Sequence, residues 1–101
     1  MFFNGIKIAA AAGAPVVAAA DGAVIFSAPL KDYGETVILK HDNDYATVYT
    51  QLGERLVKRD ERLKKGDKIA TLGRSAMKGE ALLNFEIRYK NTARNPLFFL
   101  P

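Results

Sequence analysis

Leu82-Leu83-Asn84-Phe85-Glu86-Ile87-Arg88-Tyr89 is the stretch that decides the fold. Apolar and polar residues alternate along it with a period of two. The apolar side carries Leu83, Phe85, Ile87 and Tyr89. This alternation predicts a β-strand with one face on a core. The other face includes an amide (Asn84), a carboxylate (Glu86) and a guanidinium (Arg88), whereas a plain solvent face more often carries Lys, Thr and Glu. We therefore expect that face to have a functional role.

Short strands separated by glycine-rich turns recur along the rest of the chain. The predicted strands are 5–8, 16–18, 23–27, 35–41, 45–52, 68–73 and 82–89. No segment shows ten residues of helical periodicity. The pattern predicts an all-β fold, a compact and mainly antiparallel sheet or sandwich, in one domain over residues 1–101. A terminal turn is expected at Asn95-Pro96, followed by the apolar residues 97–100.

The composition narrows the functional classes. Apolar residues make up 49% and charged residues 26%, so the chain can build a core and is not disordered by composition. The absence of Cys excludes a disulfide framework and a thiolate metal site. No apolar run approaches the roughly 20 residues that span a bilayer. Because Met1-Phe2-Phe3 is not a signal peptide, we expect a domain excised from a longer protein whose targeting sequence is absent.

The net charge of +4 suits a protein that works near an anionic polymer or an acidic partner. The most basic section, residues 55–68, interleaves its cations with acids and contains no aromatic residue for base stacking. A solvated hairpin is therefore favoured over a nucleic-acid interface.

The residues on their own offer few catalytic groups. The single histidine, His41, lies in a predicted turn beside Asp42 and Asp44. This carboxylate-rich turn could bind calcium weakly, but it lacks the ligand spacing of a dedicated calcium loop. Ser27 and Ser75 have no flanking nucleophile signature. The pattern around His41 favours a polar hairpin turn over a metal site.

Glu86 is the one acid inside a strongly patterned strand. A carboxylate pair for sugar hydrolysis stays open, but a strand Glu paired with a nearby Arg or Lys is favoured.

Ten short segments, in order, resemble a known family. They are GIKIAA (5–10), GAPV (13–16), AAADG (18–22), YG (33–34), VILKH (37–41), YTQL (49–52), KKG (64–66), IATLG (69–73), FEIR (85–88) and NP (95–96). Together they resemble the lysostaphin/LytM-type zinc metallopeptidase domain over essentially the whole chain. The resemblance implies a compact β-sheet fold, of the duplicated hybrid motif type, with a long groove in which active members cut peptidoglycan cross-bridges.

The zinc and catalytic positions of that family are changed in this sequence. Where the family has His-x-x-x-Asp, both residues zinc ligands, this chain has Phe3 and Lys7. The catalytic His of Tyr-x-His-Leu is replaced by Gln51. In His-x-His-Phe, the catalytic His and the third ligand are replaced by Leu82 and Asn84. The resemblance therefore implies no catalytic residue, no metal and no cofactor, because neither a complete set of zinc ligands nor a base is left.

A retained frame with vacated site positions resembles the degenerate LytM factors of the EnvC/NlpD type, which are murein hydrolase activators. This implies a catalytically inactive domain in the periplasm or bacterial cell envelope that binds and activates an N-acetylmuramoyl-L-alanine amidase during cell separation. The alternatives are a peptidoglycan-binding or scaffolding module and, less favoured, a residual zinc endopeptidase.

The former active-site groove is then the expected partner surface. By strand parity, Lys7, Tyr49, Gln51, Asn84 and Arg88 are predicted to face away from the core. Phe3, Tyr33 and Leu82 are expected beside them along the groove. Two simpler interpretations stay open, namely that Tyr49 only packs and that Arg88 only pairs with Glu86.

Overall fold

The computed structural model of the protein describes the backbone of residues 6–11, 13–73, 80–89 and 92–94, and the side chains of residues 13–73 and 83–89. This part of the chain contains nine strands and no helix. The strands are β1 (Ile6–Ala11), β2 (Pro15–Val17), β3 (Gly22–Leu30), β4 (Gly34–Lys40), β5 (Tyr45–Arg55), β6 (Arg62–Leu63), β7 (Lys68–Leu72), β8 (Glu80–Tyr89) and β9 (Thr92–Arg94).

The strands form one antiparallel sheet with the order β1-β8-β5-β4-β3-β6. Strand β7 pairs with β2 and β5, and β9 pairs with β8. The predicted all-β, mainly antiparallel fold is confirmed. Across the described ranges, there is no helix long and apolar enough to cross a membrane.

The predicted alternation of β8 is confirmed. Leu83, Phe85 and Ile87 are 4–7% exposed and point to the core, while Asn84 and Glu86 between them are half-buried. We call the first side of the sheet the core face and the opposite side the outer face. The core face also carries Val37, Leu39, Tyr49, Ile69 and Leu72.

Strands β3 and β5 are among those that run further than predicted. Strand β3 runs on to Leu30, and β5 runs on to Arg55, where it pairs with Ala70 of β7. Arg55 Nε also donates to Glu35 Oε2 at 2.8 Å. The charged end of β5 is therefore held by partners distant in sequence, which a local pattern does not contain. The predicted turn after β4 is confirmed, with positive φ at Asn43 and Asp44.

Some predictions lie outside the described residues. They are the terminal turn at Asn95-Pro96 with the apolar residues 97–100, and the first residue of the strand predicted at 5–8.

Candidate functional site

The polar side chains of β8 lie together on the outer face, where Asn84, Glu86 and Arg88 are half-buried. Arg88 Nη2 lies 2.9 Å from Glu86 Oε1, and the side chains are 41% and 23% exposed. The contact is an ion pair without hydrogen-bond geometry, since Glu86 Oε1 accepts no hydrogen bond from the described residues. The simpler interpretation of Glu86, a strand carboxylate paired with a neighbouring cation, is thus confirmed, and the same pair holds Arg88.

Asn84 lies at the middle of a row that crosses three strands. It is opposite Thr50 of β5 and opposite Lys7 of β1. Directly opposite residues of antiparallel strands share a face, so this row belongs to the outer face. Asn84 Oδ1 is buried and accepts no hydrogen bond from the described residues. A buried amide oxygen of this kind is uncommon and leaves an unused acceptor beneath this part of the face.

Gln51 reaches the surface because β5 is irregular at that point. The pairing of β4 with β5 shifts register between Glu35 and Val37, and Gln51 has a φ of 63°. Its N–H donates to the Tyr33 carbonyl oxygen at 3.0 Å. This hydrogen bond brings two of the predicted site residues together at the end of the β3–β4 hairpin. Tyr33 is 48% exposed there.

Gly34 makes this contact between the hairpin and β5 close. Its φ is +70°, and a Cβ added there would lie 3.7 Å from Gln51 Cα. The space would tolerate a methyl group, but the left-handed backbone favours glycine. The glycine of the predicted Tyr-Gly turn therefore sets the position of Tyr33 relative to Gln51.

Tyr49 does not belong to the outer face, and its prediction as a residue facing away from the core is wrong. It lies opposite Phe85, not Asn84, and is 2% exposed. The Thr47 hydroxyl and the Ala19 N–H donate to its oxygen at 2.9 Å and 3.1 Å. Burial raises the pKa of the Tyr49 hydroxyl, and these two hydrogen bonds oppose the rise. Parity failed because Tyr49 and Gln51 lie on either side of the irregularity, so they do not share a face.

His41 extends the hydrogen bonds of Tyr49 and Thr47 into a hydrogen-bonded chain of side chains, which the sequence did not reveal. Its Nδ1 donates to the Asp21 carbonyl oxygen at 2.7 Å, and its Nε2 lies 2.7 Å from Thr47 Oγ1. Both ring nitrogens are engaged by the protein. A polar residue just after β4 and a Thr–x–Tyr on β5, the strand that pairs with β4, are the signal that would have indicated these hydrogen bonds.

A cavity of about 720 Å³ lies on the core face beside the hydrogen-bonded side chains of His41 and Thr47. Its lining includes the segment from Val17 to Asp21 and the side chains of Phe85 and Ile87. Because Phe85 and Ile87 point away from Asn84 and Glu86, the cavity is separated from the outer face by the sheet.

The remaining predicted site residues are described only in part. The backbone of Lys7 lies opposite Asn84, and that of Leu82 lies opposite Ala9. Phe3 and the side chains of Lys7 and Leu82 lie outside the described residues. Within the described parts, no three His, Asp or Glu side chains are close enough to hold a metal ion.

Two of the residues that the family resemblance assigns to zinc and catalytic positions, Asn84 and Gln51, do not fit zinc. Asn84 and Gln51 carry neutral carboxamides, whereas zinc sites in proteins are built from thiolate, imidazole and carboxylate ligands. A carboxamide also lacks the basicity of a general base near neutral pH. What these two side chains can do is donate and accept hydrogen bonds.

The chain was compared with known families and proteins. The sequence profile of Peptidase family M23 matches residues 1–96. The murein hydrolase activator NlpD of Escherichia coli (strain K12) is 42% identical over 97% of this chain, which spans 26% of that protein. The lipoprotein NlpD of Yersinia enterocolitica is 42% identical to this chain, and the match covers 93% of this chain and 97% of that relative's sequence.

A solved structure shows the same fold. The catalytic domain of the antimicrobial peptidase lysostaphin from Staphylococcus simulans superimposes with a TM-score of 0.83. The match covers 95% of this chain and 77% of that domain at 22% sequence identity. The expected lysostaphin/LytM-type architecture is confirmed by this likeness.

Proposed function

We propose that this chain, which belongs to Peptidase family M23, is a catalytically inactive binding domain. Its function is to bind and activate a cell-wall N-acetylmuramoyl-L-alanine amidase. Neutral amides stand at two of the positions that serve zinc and catalysis in such domains. The pair Gln51 and Asn84 is the observation that carries the proposal, since neither side chain replaces a zinc ligand or a base. The name of the relative from E. coli, murein hydrolase activator, supports the direction of the effect.

Exposed residues at the end of the β3–β4 hairpin and on the outer face suit a protein partner. Tyr33 is 48% exposed beside Gln51, and Arg88 is 41% exposed on the neighbouring part of the sheet. Tyr and Arg are frequent among residues that dominate binding energies. With Lys7 and Asn84 these residues form the proposed contact surface, whereas Tyr49 is left out because it is buried. An apolar and polar mixture of this kind suits an amphipathic helix laid into a groove.

Activation follows from differential affinity. The domain captures the amidase segment that covers the amidase active site, and it binds that segment only when the segment has left the site. The open amidase is then stabilised relative to the closed form by the free energy of that contact. No chemistry by this chain is required.

The proposed place of action is the periplasmic side of the cell envelope. The relative from Y. enterocolitica is named a lipoprotein, and cell-wall peptidoglycan is the substrate of the amidase.

Dye release from labelled sacculi tests the proposal. We expect the domain alone to release no dye and to stimulate an added amidase. Tyr33→Ala and Arg88→Gln should each lower the stimulation roughly five- to tenfold, as expected for residues that contribute strongly to an interface. Lys68→Gln is the matched control, because Lys68 is exposed on β7 and outside the proposed surface.

Two outcomes would overturn the proposal. One is a folded domain that stimulates none of a panel of amidases but sediments with sacculi, which would favour a peptidoglycan-binding or scaffolding module. The other is dye release by the domain alone that chelation abolishes, which would favour a residual zinc endopeptidase.

A further inference from the structure

The register of the sheet places three cations in a line on the outer face. Arg62 of β6 is opposite Ala23 of β3, and Ala23 is opposite Lys40 of β4. Lys40 is opposite Ala46 of β5, and Ala46 is opposite Arg88 of β8. We call these five residues the basic row. Cations and alanines alternate along it from strand to strand.

The spacing of the basic row follows from sheet geometry. Neighbouring strands lie about 4.8 Å apart, so cations on every second strand are about 10 Å apart. Arg62 and Lys40 are exposed, and in the part of the chain that the structure describes neither forms an ion pair. Ala23 and Ala46 are half-buried, and their side chains are short. The row thus presents two cations that are unpaired among the described residues, Arg62 and Lys40, and a third, Arg88, whose guanidinium is paired with Glu86.

This spacing matches one common structure, an α-helix with acidic residues seven positions apart. Seven residues advance a helix by about 10.5 Å and return to nearly the same side of it. Sheet twist of roughly 20° to 25° per strand turns successive cations relative to one another, and flexible Lys and Arg side chains absorb that rotation. The alanines allow the helix to lie close to the sheet.

We infer that the basic row binds an amphipathic helix bearing Asp or Glu at seven-residue spacing, laid across the strands. The inference rests on the proposed function in one respect, namely that the helix belongs to the activated hydrolase. It adds the charge pattern of the partner and the direction of the bound helix. It also assigns roles to Arg62 and Lys40, which sequence reasoning did not single out.

A pair of synthetic peptides tests the inference without a known partner. Both are 21-residue Ala/Gln-rich helices with three Glu residues, at seven-residue spacing in one and five-residue spacing in the other, with equal helicity checked by circular dichroism. Binding to the whole chain is measured at low salt by fluorescence anisotropy. We expect the seven-residue peptide to bind at least fivefold more tightly, with a preference that salt weakens.

The variant Lys40→Gln/Arg62→Gln should remove this preference. Both residues are exposed and unpaired among the described residues, so the double variant should fold normally. Lys68→Gln removes a charge outside the row and should keep the preference. Equal binding of the two peptides, or equal losses in both variants, would refute the inference.

The same double variant separates the inference from the proposed function. If the peptide preference holds but no amidase is stimulated, the surface stands and the activator function fails. If the double variant stimulates an amidase as strongly as the unaltered chain, the function stands and the basic row is not its contact. A loss of sacculus binding in the double variant without any peptide preference would assign the row to an anionic polysaccharide and overturn the helix.

Discussion

The two faces of β5 and β8 use polar groups in opposite ways. On the core face, Tyr49 is 2% exposed, and its hydroxyl oxygen accepts hydrogen bonds from the Thr47 hydroxyl and the Ala19 N–H. On the outer face, Asn84 Oδ1 and Glu86 Oε1 accept no hydrogen bond from the described residues, although Glu86 forms an ion pair with Arg88. The difference teaches that stability is concentrated on one side of the sheet, which leaves the other side free to change its chemistry without loss of the fold.

Phe85→Ala and Asn84→Ala, at adjacent positions on opposite faces, give the largest contrast. Phe85 is 4% exposed and packs on Tyr49 with ring centroids 5.4 Å apart. Its removal should lower the free energy of unfolding by about 3–5 kcal/mol, because a core cavity is left. Asn84→Ala should cost less than about 1 kcal/mol, since the lost amide oxygen makes no hydrogen bond with the described residues. Urea unfolding measures both, and equal losses would remove the distinction between the faces.

Tyr49→Phe is the next largest change. It keeps the ring in place but removes the acceptor used by Thr47 and the Ala19 N–H. We expect a loss of about 1–3 kcal/mol in the free energy of unfolding, because a buried donor is left without a partner. Thr47→Val, which breaks the same chain between Tyr49 and His41, should be less than additive with it in a double-mutant cycle. Full additivity would show that the two hydroxyls act independently.

The pH dependence of Tyr49→Phe sharpens the same point. Burial raises the folded-state pKa of Tyr49 above 10.0, so between pH 10.0 and that raised value only the unfolded chain releases the proton. The stabilisation from the neutral hydroxyl is therefore complete below pH 10.0 and is lost as pH rises through the folded-state pKa. The loss is at most about 1.4 kcal/mol per pH unit.

Urea midpoints at pH 9, 10 and 11 should show the unaltered chain approaching Tyr49→Phe as the pH rises. A difference between the two proteins that stays constant over this range would show that the Tyr49 hydroxyl ionises equally in both states.

The sequence predicted what depends on local periodicity and missed what depends on register. Alternation in β8 was enough to place Phe85 in the core and Arg88 on the opposite face. The position of Tyr49 could not be obtained in this way, because the irregular pairing near Gln51 reverses parity within the same strand. The basic row was invisible for a related reason. Arg62, Lys40 and Arg88 are far apart in the chain and become a line only when five strands take their order in the sheet.

Arg88→Gln should have the smallest effect on stability and a large effect on function. Arg88 is 41% exposed, and a partly exposed ion pair such as that with Glu86 contributes about 1 kcal/mol or less to the free energy of unfolding. Glu86→Gln removes the same pair from the other side and should have a similar cost. The two variants differ in what they leave for a partner, because Glu86→Gln keeps the guanidinium and releases it from its carboxylate. We therefore expect Arg88→Gln to weaken amidase stimulation roughly five- to tenfold and Glu86→Gln to preserve it. Stimulation that falls equally in both variants would mean that Arg88 serves only to pair with Glu86, and the outer face would then bind its partner without this cation.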